Sequence, residues 1–241
     1  MHIPAPVTLV TGAARGLGAV IADRFQERGD KVHPIWRSSP ERGEALREQY
    51  AARAHRCDLA DAEATERLVE RILQIDGKID HVVHGVGDFL DAPLEDTEQA
   101  DWRGLFESNV MTAVHLYDAL REPLRESGGT LVLFGCAGAA RAKGRRRSAA
   151  YAAAKSALTV YARSLALEEA PHGVRVNTIS PGLVPHADAD AYTRDAARFA
   201  SVPLGRAGTP EEVADVAVWL SSRDSSYVVG ADLAVAGGWL D

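Results

Sequence analysis

Tyr151 and Lys155 lie four residues apart in Ala149-Ala150-Tyr151-Ala152-Ala153-Ala154-Lys155-Ser156-Ala157-Leu158. Alanine has the highest helix propensity, so this stretch reads as a helix with the phenol and the ammonium on one face. A phenol titrates at about 10 in water, and a nearby cation favours its anion, which brings the group towards the working range of a general acid. The same spacing also suits a plain polar helix face, so the pair needs further residues before it means chemistry. A second candidate is the glycine run Thr11-Gly12-Ala13-Ala14-Arg15-Gly16-Leu17-Gly18, placed between an apolar run and a helical pattern. Glycines there let the backbone approach a pyrophosphate, and a helix start offers free N–H groups and a favourable dipole. His81-x-x-His84 falls in a strand pattern, where residues three apart face opposite sides, so no metal site is expected. Cys57 and Cys136, far apart, suggest neither zinc nor a disulfide framework.

The chain that must hold these groups has 241 residues, 46% hydrophobic and 25% charged, with a formal charge of -7. An acidic balance favours solubility and argues against nucleic acid as the main partner. The sequence opens without a basic, then apolar, leader and carries no apolar run of membrane-spanning length, so a cytoplasmic location without membrane association is expected. Short apolar runs stand at Val7 to Thr11, Lys31 to Trp36, Ala54 to Cys57, His81 to Gly85, Thr130 to Phe134, Val174 to Ile179 and Asp232 to Val235. Helical patterns alternate with them at Leu17 to Glu27, Pro40 to Tyr50, Ala62 to Gln74, Ala100 to Glu126, Ala149 to Glu169 and Pro210 to Ser221. Such alternation marks βαβ units and a parallel sheet. Without a Pro-, Gly- or Ser-rich linker, residues 1–241 are expected to form one α/β doubly wound, Rossmann-like domain. The segment 185–203, with Asp188, Asp190 and Asp195 among alanines, reads either as a substrate lid or as a surface helix.

The glycine spacing, Gly-x-x-x-Gly-x-Gly, resembles that of the short-chain dehydrogenases/reductases. The resemblance continues through Asp58 after the third strand, Asn109 within Glu107-Ser108-Asn109-Val110, Tyr151 with Lys155, and Ser180-Pro181-Gly182 after the sixth strand. It ends with Val229-Gly230-Ala231-Asp232-Leu233-Ala234-Val235-Ala236-Gly237-Gly238-Trp239, in the family's order and close to its spacing. The 3-oxoacyl-carrier-protein-reductase-like branch is the most similar. The resemblance implies a seven-stranded parallel sheet in the order 3-2-1-4-5-6-7, with helices on both faces. It also implies a homotetramer or homodimer formed through the long helices. The implied activity is hydride transfer between a nicotinamide and a carbonyl or hydroxyl group. A 3-oxoacyl thioester on acyl carrier protein or coenzyme A, or another small ketone, is the implied substrate. In the implied catalytic set Tyr151 protonates the carbonyl oxygen, Lys155 lowers the tyrosine pKa and holds the nicotinamide ribose, and Asn109 secures a water. The implied cofactor contacts are Gly12, Ala14, Arg15, Gly16, Leu17, Gly18, Asp58, Leu59, His84, Gly85, Pro181, Gly182 and Val184, with Tyr151 and Lys155.

Three departures qualify that picture. The second strand ends in Trp36-Arg37-Ser38-Ser39, without the acid that normally meets a free ribose 2′-hydroxyl. Arg37, Ser38 and Arg15 suit a 2′-phosphate instead, so NADP(H) is expected over NAD(H). His84-Gly85-Val86-Gly87 stands where the family has Asn-Asn-Ala-Gly, and His84 is a candidate replacement for one asparagine. The expected serine after the fifth strand is missing. Aligned from the strand, its place falls to Cys136; counted back from Tyr151, it falls to Gly138; loops absorb insertions, which favours Cys136. A thiol is a weak donor, so the chain is expected to be a slow reductase, a reductase using another donor, or a weakly catalytic NADP-binding regulatory protein. The basic loop with Arg141, Lys143, Arg145, Arg146 and Arg147 reads either as solvated surface or as an attractor of phosphate-bearing or acidic partners.

Overall fold

A computed structural model describes residues 4–141, 144–186, 189 and 195–239. Seven strands are present: β1 (Val7–Thr11), β2 (Lys31–Trp36), β3 (His55–Arg56), β4 (His81–His84), β5 (Thr130–Phe134), β6 (Arg175–Pro181) and β7 (Asp232–Val235). They form one parallel sheet in the order β3-β2-β1-β4-β5-β6-β7. The order reverses between β1 and β4, so the carboxyl ends of these two strands flank a crevice, the usual ligand position in an open α/β sheet. Among the described residues the α-helices are α1 (Gly16–Glu27), α2 (Pro40–Tyr50), α3 (Ala62–Asp76), α4 (Gln99–Phe106), α5 (Thr112–Ser127), α6 (Ala149–Glu169), α7 (Ala196–Phe199) and α8 (Pro210–Leu220).

Strand residues alternate between two apolar layers, which is why the strands read as continuous hydrophobic runs. On one face Leu9, Val82, Leu131 and Val176 pack against α3, α5 and α6 through Ile72, Leu116, Leu120 and Leu158. On the other, Val10, Val83, Val132 and Ile179 pack against α1, α2 and α8 through Ile21, Phe25, Leu46, Val213 and Leu220. Local signals set the helix ends. Asp61 accepts from the Ala64 amide to start α3, and Gly77, at φ +75°, ends it in the left-handed conformation. Thr209 and Glu212 form a reciprocal capping box at α8, with Pro210 in its first turn. Arg125 clasps the fully buried Glu169 with two 2.8 Å hydrogen bonds, locking α5 to α6.

The sequence pattern differs from the structure at a few ends. β3 is only two residues long because it is an edge strand whose pairing with β2 is confined to Ile35 and Trp36. β6 runs on to Pro181 because β7 continues to pair with it. The expected helix Ala100 to Glu126 is broken by a wide turn at Glu107–Met111, whose backbone bonds span five residues rather than four. Of the expected lid, residues 187–188 and 190–194, and with them Asp188 and Asp190, lie outside the described residues; Asp195 caps the single-turn helix α7. Among the described residues no helix is long and apolar enough to cross a membrane.

The interior holds an unusual set of histidines. His33 Nε2 lies 3.0 Å from Asp76 Oδ2, and its Nδ1 lies 2.9 Å from Nε2 of His55. His81 Nδ1 pairs with Thr130 Oγ1 at 2.9 Å. Burial lowers the pKa of His33, brings His55 and His81 down to about 4, and takes His84 down to about 3 with help from Lys155. Unfolding returns each to about 6.5, so below that pH the unfolded chain binds more protons than the folded one. Stability should therefore be complete above about pH 6.5 and fall as the pH drops towards the folded values. His84 alone should cost about 2 kcal/mol at pH 5. Urea unfolding at pH 7.5, 6.0 and 5.0 measures this, and a midpoint independent of pH across that window would refute it.

Candidate active site

The glycine turn joins β1 to α1 in a shape that few other residues could adopt. Gly12 and Gly16 have φ of +71° and +57°, and a Cβ on Gly18 would lie 2.3 Å from the Gly12 carbonyl oxygen. Gly16, Leu17 and Gly18, the first residues of α1, line the crevice, and the first N–H groups of a helix have no helical partners. The crevice is a cleft of about 850 Å³, within the range of cofactor sites. Gly12, Ala14, Arg15, Gly16, Leu17, Gly18, Arg37, Ser38, Asp58, Leu59 and Gly85 all line it. This tight turn, free helix start and long cleft fit a dinucleotide. At the β2 end the exposed Arg37 stands 4.0 Å from Asp58, and Arg56 Nε donates to the Arg37 carbonyl at 2.9 Å. His84, Pro181, Gly182 and Val184 do not line the cleft as it stands. Gly182 instead donates to the Val235 carbonyl at 3.0 Å, and a Cβ on it would meet Ala236 at 2.8 Å.

Tyr151, Lys155 and Asn109 adjoin Gly87, Asp88 and Phe89, which line the cleft, and Cys136 lies near Lys155. Lys155, only 4% exposed, donates to the Phe134 carbonyl at 2.7 Å, and its Nζ is 5.8 Å from the Tyr151 ring centre. Burial pushes its pKa down to about 8, opposed by the Cys136 sulfur, so the ammonium is still largely charged at neutral pH. Phe89 stands edge-on to the Tyr151 ring at 4.9 Å between centres. Asn109, fully buried in the wide turn, donates through Nδ2 to the Asp88 and Leu105 carbonyls, each at 3.0 Å. Its Oδ1 has no partner, and a Cβ at Gly87 would lie 2.2 Å from that oxygen and 3.3 Å from Lys155 Nζ. Gly87 thus lets the Asn109 side chain approach closely, and a buried acceptor without a protein partner can take a hydrogen bond from a water.

Cys136 is the second residue beyond β5, 9% exposed, with Lys155 and Arg145 around it. Burial raises its pKa, against the pull of those two cations, so it stays a thiol. Gly138 sits further along in the turn, at φ +81°. Within the basic loop Arg147 pairs with Asp91, at 3.0 Å to Oδ1, and Arg145 Nη2 donates to the Ala137 carbonyl at 2.7 Å. Lys143 lies outside the described residues, while Arg146 is exposed.

His84 stands in a relay whose direction can be assigned. Gly85 N–H donates to Thr11 Oγ1 at 3.1 Å, and Thr112 Oγ1 donates to the Ser108 carbonyl at 2.8 Å. The Thr11 hydroxyl is thereby left to donate to His84 Nδ1 at 3.1 Å, and His84 Nε2–H to donate to Thr112 Oγ1 at 3.2 Å. Neutral imidazole satisfies every atom, consistent with its depressed pKa. The relay ties β1 through β4 to the wide turn that carries Asn109. Thr11, Ser108 and Phe89 escape inspection of the sequence, although Thr11 and His84 are direct neighbours once β1 is paired with β4. His186 is also new to the site: it lines the cleft, its ring within 2.9 Å of a Cβ placed on Gly16.

Known proteins are similar to this chain over nearly its whole length. A family described as Enoyl-(Acyl carrier protein) reductase matches residues 12–240. The chain is 31% identical to the 3-oxoacyl-[acyl-carrier-protein] reductase of Vibrio cholerae, over 99% of this chain and 98% of that one. It is 33% identical to the D-threitol dehydrogenase of Mycolicibacterium smegmatis, over 97% and 92%. It is 36% identical to the L-fucose dehydrogenase of Oryctolagus cuniculus, over 96% and 84%. A short-chain type dehydrogenase/reductase from Mycobacterium ulcerans superposes with a TM-score of 0.90 at 26% identity, covering 99% of this chain and 90% of that one.

The relay predicts that His84→Leu leaves the Thr11 hydroxyl without an acceptor and Thr112 Oγ1 without a donor, destabilising the fold by about 2–4 kcal/mol. His84→Asn, which can donate and accept, should cost less. Chemical denaturation of both variants measures this, and a His84→Leu penalty below about 0.5 kcal/mol would mean that the relay contributes nothing.

Proposed function

The chain belongs to the short-chain dehydrogenase/reductase family, oxidoreductases that act between CH–OH and C=O groups, and from that premise we propose that it is an NADPH-dependent carbonyl reductase. The observation that carries the reading is the convergence of Tyr151, the buried ammonium of Lys155 and the orphaned Oδ1 of Asn109 behind one phosphate-binding cleft. Bound there, a reduced nicotinamide supplies the hydride. Tyr151 gives its phenolic proton to the carbonyl oxygen, and Lys155 favours the resulting phenolate and holds the ribose. Asn109 Oδ1 anchors the water that returns the proton. Cys136 takes the place of the family's serine and polarises the carbonyl weakly, because a thiol is a poor donor. Gly12, Gly16, Gly18 and the start of α1 hold the pyrophosphate, and Asp58 and Leu59 flank the adenine.

Preference for NADP(H) follows from Arg15, Arg37 and Ser38 lining the cleft at the end of β2, where no carboxylate of β2 is available for a ribose diol. The first substrates to test are 3-oxoacyl thioesters and other small ketones, given the similarity to 3-oxoacyl-[acyl-carrier-protein] reductases. Residues 1–241 then act as one domain, with 185–203 over the substrate. Val160 and Leu167 of α6 are 64% and 82% exposed and seven residues apart, the spacing of one helical stripe. A second copy covering that stripe makes the working unit a homodimer or homotetramer, in the cytoplasm and without nucleic acid or membrane as partner.

Fluorescence titration should show NADPH binding at least about tenfold tighter than NADH, with Arg37→Ala narrowing the gap. Against a ketone panel, Tyr151→Phe should lower kcat/KM by about 10²-fold or more, and Cys136→Ser should raise it. Tighter NADH binding would overturn the cofactor assignment, and an unchanged Tyr151→Phe rate would overturn the proton donor. NADPH binding with no turnover by any variant would replace the reductase with a regulatory NADP-binding protein.

A further inference from the structure

The start of α6, the helix that carries Tyr151, is built on a backbone conformation that serine rarely adopts. Ser148, the residue just before the helix, has φ +60° and ψ 28°, and with Ala51 it is one of two non-glycine residues at positive φ among the described residues. A side chain in the left-handed region is strained and persists only where its surroundings over-determine it. A serine in front of a helix usually accepts from one of the first N–H groups, and this one makes no such cap. Its hydroxyl donates instead to Asp91 Oδ1 at 3.0 Å, and its N–H donates to the Ala92 carbonyl at 2.9 Å. Arg147, one residue earlier, is bound to the same place. Its Nε meets both carboxylate oxygens of Asp91, at 3.0 and 3.1 Å, and its Nη2 donates to the Asp91 carbonyl at 2.6 Å. An exposed ion pair by itself adds little stability. Here one carboxylate holds two consecutive residues, and through them the strained backbone from which the helix starts.

Tyr151 is the third residue of that helix, inside the turn where helix ends fray. Lys155, one turn further on, is kept in place by burial and by the Phe134 carbonyl, so the geometry of the pair depends on how firmly the first turn is held. The segment that holds it also reaches the site. Leu90 packs with Ala150, Ala154 and Leu105, and Phe89 stands edge-on to the Tyr151 ring. Asp88 is fixed on both sides, its N–H donating to Ser108 Oγ at 3.2 Å and its carbonyl accepting from Asn109 Nδ2 at 3.0 Å. We propose that Asp91 is a positioning residue for the proton donor: by gripping Arg147 and Ser148 it fixes the first turn of α6 and so sets Tyr151 against Phe89 and Lys155. The proposal rests on the hydride-transfer reading and deepens it. Asp91 acts through the helix and not by contact with the reacting atoms, and the phenolic proton still passes from Tyr151 to the carbonyl oxygen.

The test uses Asp91→Ala, Arg147→Ala, the double variant, and Asp91→Asn, which keeps an acceptor for the Ser148 hydroxyl but gives up the charge that faces Arg147. Circular dichroism establishes the fold, and fluorescence titration with NADPH counts the competent sites to which each rate is referred. Asp91→Ala should lower kcat by at least about tenfold and leave the NADPH dissociation constant within about threefold, since misplacing a reacting group by about 1 Å costs up to about 10²-fold. The solvent deuterium isotope effect on kcat should grow, because transfer from a displaced phenol becomes the slower step, and a purely structural loss would not move it. Asp91→Asn should recover part of kcat, and adding Arg147→Ala to Asp91→Ala should change little, because both act through one link. A kcat per site within about twofold of wild type in Asp91→Ala, or an unchanged isotope effect, overturns the proposal. Hydrogen exchange across residues 148–153 reads the same tether without turnover, and Asp91→Ala should speed it at least about tenfold. If wild type reduces no ketone, the hydride-transfer reading fails and exchange alone decides: faster exchange upholds the role of Asp91, and equal exchange refutes it.

Discussion

A lysine ammonium sealed inside the protein, with one backbone carbonyl for company, is the constraint around which the site is organised. Lys155 can be brought there because the neighbouring turns of α6 carry small side chains, with Ala150, Ala154 and Ala162 buried, so the helix approaches the sheet closely. The Phe134 carbonyl, at the last residue of β5, receives the ammonium. Its field then reaches everything nearby: it helps keep His84 neutral, opposes the burial that keeps Cys136 a thiol, and faces the space beside Gly87. A lysine held this way at about 8 remains charged at neutral pH, and because the unfolded chain binds that proton more tightly, its buried charge costs the folded state stability. Such a cost fits the role proposed for Lys155 in the reaction.

The elements were legible because the sheet is covered on both faces. Strands buried twice over become unbroken apolar runs, and the helices between them carry one-sided patterns, so the alternation survives in the sequence almost intact. The glycine turn was legible for a different reason: Gly12, Gly16 and Gly18 each meet a steric demand that leaves a mark at a single position. The wide turn at Glu107–Met111 leaves no such mark, since one extra residue in a helical ladder changes neither composition nor period appreciably. Thr11, Ser108 and Phe89 were illegible because their meaning lies in partners far along the chain; Thr11 and His84 are 73 residues apart. His84 itself was visible as a departure from a pattern. Its replacement function could be read only from the two threonines that flank it.

Those two threonines show how a substitution can preserve a brace while altering its character. An asparagine offers a donor and an acceptor that need no proton to move. The imidazole offers the same pair, one on each ring nitrogen, on condition that it stays uncharged. The surroundings enforce that condition by burial and by the neighbouring ammonium. Asn109 depends on the result, because the last acceptor of the relay is the Ser108 carbonyl, one residue before it in the wide turn.

The direction of that relay has an electrical meaning. Every mobile hydrogen in it points the same way, from the Gly85 amide towards the Ser108 carbonyl, and a carbonyl cannot pass a proton on. The line of hydroxyls and imidazole that crosses the middle of the protein is therefore an insulator and not a wire. In the proposed reaction, a proton for Tyr151 would therefore have to be supplied from somewhere other than this line.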